Sequence, residues 1–380
     1  MKQNTSFLLR EIANVPYLIP YGQMIADHKR GVQINATGAY LWELLAQERT
    51  MEELQRISAS YYGIPNDELE DFNKDISTFV NQLIFLGIVE DTTPAVRSTA
   101  DRHLLSIAGL TLELIDADDI FPTEFTDFIV QESNEIHQQI IFHRRKPRTS
   151  TNGTLLLRNQ ELTVIEQDEQ YILLFPQAKQ IVEIQLKKDA SLAHFYYLPP
   201  CDETLKTDVF HAIRLLYLFL AQKHHMAAIH SASILYQDKI WLFSGHSGMG
   251  KSTHTALWNK LYQTPLINGD LNLLAFEGDT PVVHGIPWCG TSGIYDTKTY
   301  PLGGIILLDR APTDYVTELS ADIKQLLVLQ RLISPNWTAE LFDMNLDLVK
   351  NITEKVLICK LHCTKEDNAA ETMKEYIDKK

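Results

Sequence analysis

The segment Gly245-His246-Ser247-Gly248-Met249-Gly250-Lys251-Ser252 sets glycines, a lysine and a hydroxyl at the spacing G-x-x-x-x-G-K-S, a pattern suited to binding phosphate. Successive backbone N–H groups must converge on phosphate oxygens, and a Cβ at Gly245, Gly248 or Gly250 would obstruct the curvature or the approach. Lys251 offers a positive charge to β- and γ-phosphates, Ser252 a hydroxyl to Mg²⁺, and the following helix its positive end. ATP and Mg²⁺ are therefore the expected cofactors, held along 245–252 and by the next residue, Thr253. His246 lies inside the loop, and the simpler reading of its side chain is that it points outward.

Such a loop needs a strand to enter it and a helix to leave it. Ile240, Trp241, Leu242 and Phe243 predict the strand, over Lys239–Ser244, and Thr253–Leu261 predicts the helix. Upstream, a helix is expected over Glu203–His225; it is nearly continuous in apolar residues from Ile213 to Ala221 apart from Arg214, so it should be buried. A strand over Ala227–Leu235 follows. Gly285–Gly304, with five glycines, reads as loop-rich. Beyond it come a strand at Ile305–Leu308, helices at Ser320–Ile333 and Trp337–Lys350, a strand at Val356–Leu361 and a short C-terminal helix. Residues 105–200 alternate short apolar runs with turns, among them Leu110–Ile115, Gln139–Phe142, Thr154–Leu157, Leu162–Glu166, Tyr171–Phe175, Ile181–Leu186 and Ala193–Leu198. That region is expected to be mostly β, extending the core sheet and forming part of an acceptor surface.

The chain has 380 residues, a net charge of −15 and a hydrophobic share of 45%. It is long enough for two domains, and the fold class expected is α/β (α+β). The acidic balance argues against nucleic acid as a partner; the basic run His143–Arg148 reads as a solvated turn. Four cysteines without a secretory signal favour a reducing, cytoplasmic setting. Cys359, His362 and Cys363 lie close together, but in a segment that reads as a buried strand without a second ligand pair. The longest apolar run, Leu215–Ala221, is too short to cross a membrane.

Residues 1–91 form a separate expected unit, 92–104 a linker and 105–380 the nucleotide-binding domain. The first unit should hold strands at Ser6–Ile12, Pro16–Pro20 and Gln23–Ile34, then three helices. The first helix is Ala36–Leu45. The second opens on Thr50-Met51-Glu52-Glu53, a capping box, and closes near Gly63. The third starts after Asn66, carries Leu69, Phe72, Ile76, Phe79, Val80 and Leu83 at helical spacing, and stops at Gly87. Three strands and three helices of this size predict a winged-helix module.

The runs REIANVPYLIPYG, INATGAYLWELL, TMEELQRISASYYG and FNKDISTFVNQLIFLGIVE make this unit resemble the PqqD-like peptide-recognition domains of ribosomal peptide biosynthesis. The resemblance implies a precursor peptide as partner, its leader adding a strand at the sheet edge around Met24–Ile34 and lying on the third helix within Phe72–Leu83. A docking or DNA-binding winged helix is the alternative; Glu68, Glu70, Asp71 and Asp75 on the third helix weigh against DNA.

The run AAIHSASILYQDKIWLFSGHSGMGKSTHTALW, followed by LINGD, HGIPWCGTSGI and PLGGIILL, resembles the HPr kinase/phosphorylase superfamily, which shares its fold with phosphoenolpyruvate carboxykinases. What this implies is residue-specific. Asp270 matches the aspartate that takes the proton from an acceptor hydroxyl, with a second reading as a Mg²⁺ ligand beside Ser252. His230 matches an active-site histidine that contacts phosphate or orients the base; its alternative is a satisfied core histidine. The family's acidic pair is here Gly269-Asp270, and His284 stands near the place of a metal-holding glutamate, so the resemblance leaves that metal ligand and a reverse phosphorylase activity open. Trp288–Gly293 is expected to meet phosphate or shape the acceptor pocket. Cys289 is not expected to act as a nucleophile, since transfer from ATP to a hydroxyl needs no covalent intermediate.

Together the resemblances imply a kinase for a serine or threonine hydroxyl of a ribosomally made peptide. The competing expectations are a small-metabolite kinase and an ATP-gated chaperone serving a partner modifying enzyme; a homo-oligomer is a further expectation.

Overall fold

The computed structural model describes residues 1–26, 30–65, 67–90, 102–147, 153–246 and 248–380. The chain divides into two compact units, Met1–Ser98 with Arg144–Arg148, and Thr99–His143 with Thr149–Lys380.

In the first unit, Phe7–Ile12 and Val15–Pro20 form an antiparallel hairpin in which Ile12 faces Val15. The turn residues Ala13 and Asn14 both have positive φ, 49° and 63°, the geometry that matches the twist of a two-residue hairpin. A third strand, Val32–Gln33, pairs with Leu18 and Tyr17 and ends the sheet. It is far shorter than the strand expected over Gln23–Ile34. Gly22 turns with φ +62° and Gln23–Ala26 forms a helical turn instead, a segment without the alternation a half-buried strand needs. Residues 27–29 of that expectation lie outside the described residues. Three helices follow, Ala36–Leu44, Met51–Tyr62 and Leu69–Phe85. The capping box forms: Glu53 N donates to Thr50 Oγ1 at 3.1 Å and Thr50 N to Glu53 Oε2 at 3.0 Å. Gly63 closes that helix in the left-handed conformation. Leu18, Leu41, Trp42, Leu45, Leu54, Val80 and Leu83 make the core.

Of the expected linker, residues 92–101 lie outside the described residues, while Arg102–Leu104 already belong to the strand Arg102–Ile107. Among the described residues, the second unit holds a nine-stranded sheet. Gln138–His143 lies inside it, parallel to both Leu110–Ile115 and Leu192–Tyr197. The helix Glu203–Lys223 is capped by Asp202, whose carboxylate accepts from Leu205 N at 3.0 Å. It is buried along most of its length, as its nearly all-round apolar sequence requires.

The second large sheet carries the glycine-rich loop of residues 245–252. Its strand Lys239–Ser244 pairs antiparallel with Ala227–Tyr236 and parallel with Thr299–Arg310. From Ala227–Tyr236 the path runs through Leu271–Glu277 and Thr280–His284 back to Thr299–Arg310, so it closes on itself. Thr299–Arg310 begins before the expected Ile305 and takes in Gly303 and Gly304. The Trp241 indole lies over these glycines: a Cβ on Gly303 would stand 2.7 Å from Trp241 Cε2. Two helices also differ from expectation. Ala321–Leu329 stops short of Ile333 because the sheet captures the chain, Leu332 bridging Ile229 and Ile333 N donating to the Ala228 carbonyl at 2.9 Å. Ala339–Lys355 starts after Trp337 because Thr338 caps it, accepting from Leu341 N at 3.3 Å. Among the described residues no helix is long and apolar enough to cross a membrane.

Candidate active site

The buried strand Lys239–Ser244 delivers the chain into the loop, and its last residue is tied sideways, Ser244 Oγ donating to the His230 carbonyl at 2.7 Å. Gly248 and Gly250 have φ of +76° and +100°, which L side chains rarely adopt. A Cβ at Gly248 would meet nothing within 4 Å, so the loop's outer side is open, and this suits a phosphate chain. Ser247 lies outside the described residues. Met249 N closes a turn onto the His246 carbonyl at 3.1 Å, and the helix Lys251–Tyr262 starts directly after Gly250. His246 is exposed, with its Nδ1 3.2 Å from Arg331 Nη1. Arg310 donates to the Gly248 carbonyl. Two arginines thus brace the loop, and neither was singled out in the sequence.

Lys251, His230 and Asp270 come together. Lys251 Nζ lies 3.0 Å from His230 Nε2, and the same Nε2 lies 3.0 Å from Asp270 Oδ1. One ring nitrogen cannot both accept from the ammonium and donate to the carboxylate, so its protonation decides which neighbour it serves. The hydrogen bond from His230 holds the Asp270 carboxyl below the usual aspartate range, against burial, with Lys251 and Arg214 adding to the effect. Burial pushes the Lys251 ammonium down, and Asp270 partly restores it.

Asp270 owes its place to Asn268. The Asn268 Oδ1 accepts from Asp270 N at 2.9 Å and Leu271 N at 3.0 Å, a side chain standing in for a backbone turn between two strands. Its Nδ2 lies 3.3 Å from the Trp288 carbonyl and 3.4 Å from that of Ile286. The same side chain therefore fixes the segment leading to Cys289 and Gly290. The signal for it was the Asn-Gly-Asp run itself, a turn sequence after an apolar strand.

Gly290, at φ +61°, presses on the carboxylate: a Cβ there would stand 2.8 Å from Asp270 Cβ. Gly290→Ala combines backbone strain with a push on Asp270. It is expected to lower the turnover of any reaction using that carboxylate by about 10²-fold, the cost of misplacing a reacting group by roughly 1 Å. Unchanged steady-state kinetics in the folded variant would count against this placement. Trp288, Cys289 and Gly290 also line a cleft of about 540 Å³ with Phe210, His211 and Arg214. Burial pushes the Cys289 thiol up, leaving little thiolate for attack.

Ser252 is exposed in the first turn of its helix, and no hydrogen bond joins it to Asp270 among the described residues. Thr253 follows it, half-buried, on the same turn. His284 is buried in its strand with Nδ1 2.7 Å from Thr299 Oγ1, and burial lowers its pKa. Among the described residues no group of three or more His, Cys, Asp or Glu side chains is arranged to hold a metal ion. Mg²⁺ is commonly bound through one or two protein oxygens plus substrate phosphates, and the open loop with the Ser252 hydroxyl and Asp270 carboxylate fits that donor set.

Residues 23–89 match the family described as Coenzyme PQQ synthesis protein D (PqqD). The match takes in the helical turn, the terminal strand and the three helices of the first unit. The glycine-rich loop of residues 245–252 lies outside that match. Among solved structures the chain is similar to the Hpr(Ser) kinase/phosphatase from Coxiella burnetii, at 10% identity and a TM-score of 0.23, over 40% of this chain and 97% of that one. No curated protein sequence matches the chain.

Proposed function

We propose that this protein is an ATP-dependent kinase that phosphorylates a serine or threonine hydroxyl of a ribosomally made precursor peptide, with residues 1–91 holding the peptide's leader and residues from about 105 onward performing the transfer. The observation that carries the reading is the meeting of Lys251, His230 and Asp270 at the end of a phosphate loop in a chain whose residues 23–89 match the PqqD family.

The loop amides and Lys251 bind the β- and γ-phosphates of ATP. Bound Mg²⁺ supplies further charge neutralisation, with Ser252 as its hydroxyl ligand. Asp270 takes the proton from the acceptor hydroxyl as that oxygen bonds to the γ-phosphorus and the bond to the β–γ bridging oxygen breaks, giving phosphopeptide and ADP. His230 orients Asp270. The leader adds to the terminal strand Val32–Gln33 and raises the effective concentration of the acceptor at the site.

The pH profile follows from the shifts. Asp270 must be a carboxylate, a form present above its folded pKa and lost as pH falls through it, so the acid limb lies below the ordinary aspartate value of 3.8. Lys251 must be charged, a form lost as pH rises through its folded pKa, so the alkaline limb lies below the ordinary lysine value of 10.5. Since kcat/KM for ATP reports the free enzyme, that profile is the measurement, and an alkaline limb at or above 10.5 would contradict the desolvated lysine.

The direct test incubates the protein with a candidate precursor peptide, ATP and Mg²⁺ and reads intact mass. A phosphoryl gain that requires both leader and Asp270 supports the reading. Transfer indifferent to the leader would favour a small-molecule kinase, and leader binding without transfer would favour a chaperone.

A further inference from the structure

The long helix Glu203–Lys223 places one guanidinium among apolar neighbours. Arg214 lines the cleft of about 540 Å³ beside Trp288, Cys289 and Gly290. It also lines a second cleft of about 500 Å³, with Glu161, Leu162 and Phe175. His211 is the other residue common to both. Among the described residues no carboxylate or carbonyl forms a salt bridge or hydrogen bond with the Arg214 guanidinium; Asp270 and Glu161 influence it only electrostatically. A forked, five-donor cation half-sunk in such a wall is poorly served by water and asks for a planar anion.

We propose that Arg214 receives a carboxylate of the acceptor peptide, in the two clefts that meet at this side chain. The inference rests on the peptide-kinase reading and names its substrate chemistry. Three observations carry it. Neither cleft is lined by a described residue of the phosphate loop, so the anion belongs to the acceptor and not to ATP. Gly290 backs directly onto Asp270, so a chain in the first cleft brings its hydroxyl to the base. The clefts also carry carboxylates, Glu124 in the first and Glu161 and Asp208 in the second, so Arg214, against these and Asp270, is the group that would offset the repulsion a substrate carboxylate meets there. The aromatic and aliphatic walls, Phe210 and Trp288 on one side, Leu162 and Phe175 on the other, take the flanking side chains.

The test is affinity selection on the full-length protein. The probe is a library of decapeptides with one central serine, randomised elsewhere, with either free or amidated C-termini, presented with Mg²⁺ and a non-hydrolysable ATP analogue. Wild type should enrich peptides bearing a carboxylate, at least tenfold over neutral ones. Position-specific enrichment of Asp or Glu marks a side-chain carboxylate, and loss of enrichment on amidation marks the chain terminus. Arg214→Met, which keeps the apolar stem, should abolish the preference. Arg214→Lys, which keeps the charge without the fork, should retain part of it and guards against a folding artefact. Equal enrichment by wild type and Arg214→Met, or retention of no carboxylate peptides by wild type, overturns the proposal. Phosphate transfer is read separately with ATP: carboxylate selection that depends on Arg214, without transfer, would sink the kinase reading while the anion site stands.

Discussion

Lys251→Ala lowers phosphoryl transfer by about 10³-fold or more, the scale for removing a preorganised charge from phosphoryl oxygens in a shielded site, and leaves leader binding unchanged. The ammonium is half-buried, and burial already disfavours its charge, so it is held where an anion recovers that cost. Its neighbour is His230 Nε2 at 3.0 Å, which brings no negative charge to it. Calorimetry with ATP and with leader peptide, beside a transfer assay, separates the effects. Parallel loss of nucleotide and leader affinity in a variant with wild-type melting behaviour would show that the two activities are not divided between the two units.

Asp270→Asn should cost about 10²–10⁴ in kcat, the usual contribution of a positioned base, with KM for ATP little changed. The substitution keeps the shape, and the turn that positions residue 270 survives because Asn268 binds its backbone N–H, not its carboxylate. A protonation role and a metal role make different demands. If Asp270 serves mainly to hold Mg²⁺, the variant's apparent affinity for Mg²⁺ falls and excess metal restores much of the rate. If it serves as the base, metal does nothing and the acid limb of the pH profile disappears. Wild-type turnover in Asp270→Asn would exclude both.

How far the site could be read from sequence depended on how local each contact is. The strand, glycine-rich turn and helix of residues 239–262 were legible because they are contiguous, and each has a local physical reason to be there. The convergence of His230 and Asp270 on Lys251 was anticipated only through family resemblance, since pairing of separate strands sets it. Arg214 was visible as a lone charge in an apolar helix, yet nothing local said that two clefts would open onto it. Arg310 and Arg331 carry no signal at all: both act on the loop from segments distant in sequence. In the first unit, Gln23–Ile34 misled because Gly22 and Gly31 read as turn or bulge points of an extended segment, whereas among its described residues only Val32–Gln33 finds a strand partner.

The closed path of strands has a consequence for how the protein is made. The strand feeding the phosphate loop is complete only when Thr299–Arg310 lies parallel beside it, and that segment leaves the ribosome well after the loop itself. Parallel pairing across such a separation is slow to form because the intervening chain must first be ordered. During synthesis the glycines and lysine of the loop therefore exist for some time without the frame that aims them, while the strands and helices of the first unit, whose ends pair at Lys2–Glu90, have already left the ribosome. Under the proposed function, a nascent chain would acquire its peptide-holding unit before its nucleotide site.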